Sequence, residues 1–230
     1  SSDVSYLIHQ IERNAPSCVS VSLPTAKPNT PQNSFENLQV FSISHPALIK
    51  YLGERCIDIE IARTICKELH FDTRGKHYFG IGFPNIAGGY EIRNPFFKGC
   101  IAPKDISHFY AEEPKKVCFL FEGFMDFLSF MTLLRKENDG LKRQDYLVLN
   151  SVSNIQKALE PLSHYENVQC FLDTDEAGRN AYLQLSKELR KPITDASTLY
   201  NGYKDLNEYL CAESKHSERA EIKKSKGLKL

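Results

Sequence analysis

The chain has 230 residues, 41% hydrophobic and 25% charged, a composition that excludes collagen, coiled coil and wholesale disorder and leaves room for one globular domain or two small ones. Its 29 Lys and Arg balance 29 Asp and Glu, so a nucleic-acid partner would have to be met by a local basic patch and not by an overall field. Apolar runs are short, such as Val117 to Phe121, against the roughly 20 residues of a membrane helix, so no membrane partner is expected.

The start, Ser1-Ser2-Asp3, has no initiator Met and no basic stretch leading into an apolar one, so it reads as an excised or processed chain without a secretion signal and with sequence missing upstream. After Tyr6, Leu7 and Ile11, the prolines Pro16, Pro24, Pro28 and Pro31 stand among Ser, Thr and Asn. Residues 1–34 therefore read as an N-terminal segment and linker. A smaller α+β subdomain is expected over 35–114. Between Pro46 and His70, Leu48, Ile49, Leu52, Ile57, Ile61, Ile65 and Leu69 recur at helical spacing with a break at Gly53, which predicts two short helices. Strands are predicted around His77 to Gly82 and Tyr90 to Ile92. The Asn85-Ile86-Ala87-Gly88-Gly89 turn between them makes an antiparallel pair.

Beyond Pro114 the pattern becomes a short, largely apolar run followed by a helical period. The runs are Val117 to Phe121, Tyr146 to Leu149, Val168 to Leu172 and, weakest, Ala196 to Leu199; such continuity demands cover on both faces. Helical stripes follow at Phe124, Phe127, Leu128, Met131 and Leu134, and at Ala181, Leu185 and Leu189. Residues 115–211 thus predict an α/β domain with a parallel sheet and flanking helices. Residues 212–230, with Lys223, Lys224, Lys226 and Lys229, read as a frayed basic tail. The seven cysteines are odd in number and lack C-x-x-C spacing, which points away from a disulfide scaffold or zinc module and toward a reducing, cytoplasmic setting. The seven histidines show no ligand spacing, so surface or satisfied core is their default.

In an open parallel sheet, ligands bind at the carboxyl ends of the strands. Here those ends are acidic. Glu122 follows Phe121, Asp126 comes one helical turn later, and Asp173 and Asp175 follow Leu172. Acids converging from separate strand ends repel unless a hard cation such as Mg2+ neutralises them. Taken alone, Asp126 could be a helix-start charge and Asp175 an N-cap. Glu122, Asp173 and Asp175 together favour a metal site.

The spelling resembles a known family. Glu122-Gly123-Phe124-Met125-Asp126 looks like the E-G-x-x-D motif of Toprim domains in bacterial-type primases, and Asp173-Thr174-Asp175-Glu176-Ala177-Gly178-Arg179 looks like their D-x-D-x-A-G-R motif. Tyr203 to Leu210 resembles the third acidic motif, with Asp205 and, where many relatives carry a second Asp, Asn207. A looser similarity to the segment preceding Toprim runs from Pro46 through the Gly88-Gly89 turn. The resemblance implies a primase catalytic core of bacterial or phage type lacking the N-terminal zinc module. Such a core makes short RNA primers on single-stranded DNA by metal-dependent nucleotidyl transfer, in a replicon with its own initiation. Glu122, Asp173 and Asp175 would be catalytic. Mg2+ or Mn2+ would be held by Glu122, Asp126, Asp173, Asp175, Asp205 and Asn207, the neutral Asn207 weakening a second ion. Glu122 is then either ligand or general base.

Phosphates need cations. Arg93, Lys98 and Lys104, interleaved with Phe96 and Phe97, suit nucleotide or template binding, as does Arg179 inside the second motif. The implied partners are single-stranded DNA, ribonucleoside triphosphates and a replicative helicase. Two other classes fit the same acids. One is a Toprim nuclease or topoisomerase, although no tyrosine has a recognisable nucleophile setting; the other is a non-catalytic DNA-binding Toprim module.

Overall fold

A computed structural model of the protein describes residues 35–111, 113–136 and 144–227; the 1–34 linker expected from its prolines lies outside them. The first part is a five-stranded antiparallel sheet in the order β1-β2-β3-β4-β5, made of Glu36–Phe41, Lys67–Thr73, Lys76–Pro84, Tyr90–Arg93 and Lys98–Ile101. The predicted hairpin is β3 and β4, with Ile81 opposite Arg93 and Pro84 opposite Tyr90. Asn85 closes its turn, accepting from the N–H groups of Ala87 and Gly89 at 3.0 and 2.9 Å.

Two short helices, α1 (Pro46–Glu54) and α2 (Ile59–Ile65), precede β2. Pro46 opens α1 behind an N-cap at His45, while Asp58 caps α2 by accepting from the Glu60 and Ile61 N–H groups. Gly53 does not break α1, which runs on to Glu54. The helical reading fails at Leu69. Cys66 is extended, and from Lys67 the chain pairs residue for residue with β3, because Leu69 and Phe71 alternate with Glu68, His70 and Asp72 at a period of two.

The second sheet has the order β10-β9-β7-β8-β6, from Ser107–Phe109 (β6), Val117–Phe121 (β7), Asp145–Val148 (β8), Asn167–Phe171 (β9) and Ile193–Asp195 (β10). Strands β7 to β10 are parallel and β6 joins the edge antiparallel to β8. The connections are α3 (Phe124–Lys136), α4 (Ile155–Ser163) and α5 (Glu176–Leu189), followed by α6 (Leu206–Gly227). This is the α/β fold with flanking helices that the runs imply.

Three boundaries differ from the sequence reading. β6 belongs to the second sheet although it lies before Pro114, so a division at 114/115 cuts off an edge strand. Ser107 Oγ donates to Pro84 O, and the buried His108 ring meets Tyr165 Oη at 3.0 Å while that hydroxyl donates to Asp145 at 2.7 Å. The last strand is Ile193–Asp195, and Ser197–Tyr200 is a 3-10 turn, because the Asp195 carboxylate takes the Ser197 N–H and turns the chain. The stretch expected to fray instead continues α6 to Gly227, a run with no proline and no glycine before its end, rich in helix-forming Ala, Glu and Lys.

Alternation along the central strands divides the core. Cys118, Leu120, Leu147, Val168 and Cys170 face α4 and α5, burying Ala158, Leu162, Ala181 and Leu185. Phe121, Tyr146, Val148 and Phe171 face the other way into a cluster that also takes Phe127 and Met131 of α3, Leu206 and Leu210 of α6, Leu48 and Leu52 of α1, and Ile81 and Phe83 of β3. One apolar cluster therefore joins both sheets, with Phe83 stacked on Phe124 at 5.1 Å.

Candidate metal centre

The carboxyl ends of β7 and β9 lie side by side, Phe121 paired with Phe171, so the residues that follow them emerge together. The Glu122 N–H still reaches Phe171 O, and its Oε2 accepts from the Asp173 N–H at 3.4 Å. Gly123 turns the chain beside this carboxyl group, and a Cβ there would stand 3.4 Å from Asp126 Oδ2, so Asp126 lies against the same turn. Asp126 is buried, and its Oδ1 accepts from the Asn207 N–H at 3.3 Å.

The Asp173-Thr174-Asp175 turn is sewn to the loop before α6. Thr174 N–H and Oγ1 donate to Lys204 O and Tyr203 O at 2.8 and 2.9 Å, and Tyr200 Oη donates to Leu172 O at 2.7 Å. Asp175 caps α5 through the Gly178 N–H at 3.1 Å. Asp205 opens α6 as its cap, accepting from the Glu208 N–H at 2.7 Å, while Glu208 accepts from the N–H of Lys204, one residue before the cap, at 2.6 Å. These ties bring the Lys204 ammonium to 3.9 Å from both Asp173 and Asp175.

Crowding acids in a half-dry cleft penalises their charged forms. Burial, with the Asp173 charge, pushes Glu122 up to about 7. Burial and Asp205 push Asp126 to about 8, and burial and Asp205 push Asp173 to about 6 even with Lys204 opposing.

The cleft holds about 130 Å³ and is walled by Glu122, Asp126, Asp173, Asp205 and Lys204 on one side and by Arg93 and Lys98 of the first sheet on the other. Arg93 and Lys98 are register partners of β4 and β5, which explains their joint arrival. Of the other expected site residues, Lys104 does not line the cleft; it acts electrostatically on Glu91 and Cys100. Arg179 braces the acidic turn by donating to Thr174 O. Asn207 is buried behind Asp126, its amide nitrogen donating to Arg55 O at 2.9 Å and Ser129 Oγ at 2.8 Å, so its side chain ties α6 to α3 and to the end of α1.

Sequence reasoning passed over Lys204, Arg55, Glu91 and Asn150, all on the cleft wall. Lys204 sits inside the third motif and could have been found there. Arg55 Nε, Glu91 Oε1 and Asn150 Oδ1 are buried polar atoms without a hydrogen-bond partner among the described residues, as expected where a polar ligand completes the wall. The oxygen-only donor set and its raised carboxyls fit a hard divalent cation. Among the described residues, no three His, Cys, Asp or Glu side chains already enclose a point where an ion would sit.

Residues 119–210, which carry the parallel sheet and the acids that meet across β7, β9 and the start of α6, match the family model described as Toprim-like. Residues 37–102 match a domain of unknown function, DUF8464. Among solved structures, the primase fragment of the bacteriophage T7 primase-helicase protein is similar at 19% identity over 85% of this chain and 81% of that one, with a TM-score of 0.48. A chain from the bacteriophage T7 lagging-strand DNA polymerase interacting with primase domains of two gp4 subunits, bound to an RNA/DNA hybrid and dTTP, is similar at 16% identity over 80% and 89%, with a TM-score of 0.43. None of the curated proteins matches the sequence.

Proposed function

We propose that the protein is the catalytic core of a DNA primase, joining ribonucleotides on single-stranded DNA. The observation that carries this reading is the meeting of three acidic motifs in one cleft with the cations of the first sheet facing them. Glu122, Asp126, Asp173, Asp175 and Asp205 would hold Mg2+ or Mn2+, which when bound supplies positive charge to the triphosphate and acidifies a ribose hydroxyl. Asn207 lends its backbone N–H to Asp126 and stays out of the donor set. Glu122, held near 7, is able to take up a proton at its Oε atoms at neutral pH, which suits a general base. Lys204 and Lys98 neutralise charge beside the acids, and Arg93 extends the cationic wall toward the template. Single-stranded DNA and ribonucleoside triphosphates are then the partners, with a replicative helicase alongside. The free thiols of Cys56, Cys66, Cys100, Cys118, Cys170 and Cys211 suit a reducing cytoplasm.

Incorporation of labelled ribonucleotides on single-stranded DNA with Mn2+ tests the reading. The wild type is expected to extend, and Glu122→Gln to lose transfer while keeping its circular dichroism spectrum. Undiminished synthesis by Glu122→Gln would remove Glu122 from the chemistry, and nicking of supercoiled DNA without synthesis would favour a nuclease.

A further inference from the structure

Outside the acidic cleft, the face of β2 and β3 carries a chain of four side chains. Glu68 Oε1 meets His70 Nε2 at 2.8 Å, His70 Nδ1 meets His77 Nε2 at 3.1 Å, and His77 Nδ1 meets Asp72 Oδ1 at 2.9 Å. Both carboxylates are anchored. Glu68 Oε2 accepts from the Ser44 and His45 N–H groups at 2.9 and 2.7 Å, and Asp72 Oδ2 accepts from the Asn37 amide at 2.8 Å. Burial works against ionisation of Glu68, but the His70 ring and the two N–H groups outweigh it and hold the carboxyl below its usual range. The Asn37 amide and the His77 ring do the same for Asp72.

Proton counting makes the middle contact informative. Three donor–acceptor contacts need three protons, whereas two neutral imidazoles carry two. If each ring gives its proton to its carboxylate, two lone pairs face one another at 3.1 Å. A cation between them removes the conflict: either a third proton or a metal ion. Zn2+ sits about 2.0–2.1 Å from imidazole nitrogen, so two such ligands at angles between square and tetrahedral stand about 2.9–3.4 Å apart. The observed separation falls in that interval. In that tautomer each ring donates its outer N–H to a carboxylate, the arrangement that fixes tautomer and orientation in histidine metal sites. Phe79 stacks on His70 at 5.8 Å and Phe41 meets it edge-on at 5.5 Å, which holds the ring still. His77 is 58% exposed in its side chain, leaving coordination positions for water.

We propose that His70 Nδ1 and His77 Nε2 form a site for a borderline divalent transition metal such as Zn2+, chemically separate from the oxygen-only cleft. Imidazole donors favour such ions over Mg2+. Bound there, the ion cross-links β2 to β3 and, through Glu68, braces the N-terminus of α1, whose far end delivers Arg55 to the cleft wall. The inference does not rest on the primase reading.

Calorimetric Zn2+ titration of the full chain, with excess Mg2+ present to occupy the acids, tests it. One saturable zinc per chain is expected, with the His70 and His77 imidazole NMR signals shifting together. His77→Gln, at an exposed position that the fold tolerates, abolishes the site; Asp72→Asn weakens it about tenfold or more; Cys56→Ser, near Cys211, leaves it unchanged. Absence of saturable binding, binding that survives His77→Gln, or binding lost in Cys56→Ser would overturn the assignment.

Discussion

Asp126 and Asn207 show how one buried contact can matter more than formal charge. Asp126 is pushed to about 8 because it is dry and faces Asp205 and Asp173. Its native form therefore favours the proton, as do those of Glu122 and Asp173. A carboxyl raised above its unfolded value of about 4 contributes stability that is complete below that value and lost as pH rises through the folded one. In chelator, the unfolding temperature is expected to fall as pH climbs from about 4 toward about 8. Asp126→Asn, which keeps an acceptor for the Asn207 N–H, should flatten that slope and raise Tm at neutral pH, by about 2–4 °C for each kcal/mol gained. A slope unchanged in Asp126→Asn would mean that the acids do not strain the cleft. Asn207 shows the reverse case. The sequence suggests that Asp in its place would strengthen a second metal, but its amide donates to Arg55 O and Ser129 Oγ in a buried setting. Asn207→Asp removes both donations and aims a carboxylate at two acceptors. Denaturant unfolding should show a loss of about 2–3 kcal/mol or more, with no gain in Mn2+ affinity.

At the level of elements, legibility followed chain-local pattern. Val117 to Phe121 and Val168 to Leu172 are legible because each run is apolar but for Gln169, as a central strand covered by helices requires, and the acids are their immediate sequel. β2 was hidden because Leu69 lies four residues after Ile65, which continues a helical period that the backbone abandons at Cys66. β6 and β10 are three residues each, too short for any period to register. Lys204 stands beside Asp205 in the third motif, but its approach to Asp173 and Asp175 depends on the Thr174 contacts with the Tyr203 and Lys204 carbonyls, and Asn150 reaches the cleft through its place after β8, so neither of these proximities is written in spacing. Gly178 is the element-scale test. A Cβ there would lie 1.9 Å from Asp173 O, so this glycine allows α5 to start against the acidic turn. Gly178→Ala should destabilise by on the order of 3 kcal/mol and displace Asp173, lowering nucleotide transfer further than the lost stability explains. A variant with wild-type Tm and activity would show that the turn has slack.

Across the whole molecule, the cleft exists because one apolar cluster fixes two sheets against each other. Phe83 of the first sheet stacks on Phe124, which follows Glu122 by two residues, so the cationic wall of β4 and β5 is positioned by the same packing that seats the acids. The account's central claim is that the strand-end acids act together as one divalent-cation centre. Equilibrium Mn2+ binding, followed by the electron paramagnetic resonance signal of the free ion in wild type and Asp173→Asn, tests it most directly. The account predicts saturable binding by the wild type, a loss of at least about tenfold in affinity in Asp173→Asn, and a rise in wild-type affinity as pH increases through the range of the raised carboxyls. Equal Mn2+ affinity in the two proteins would contradict it.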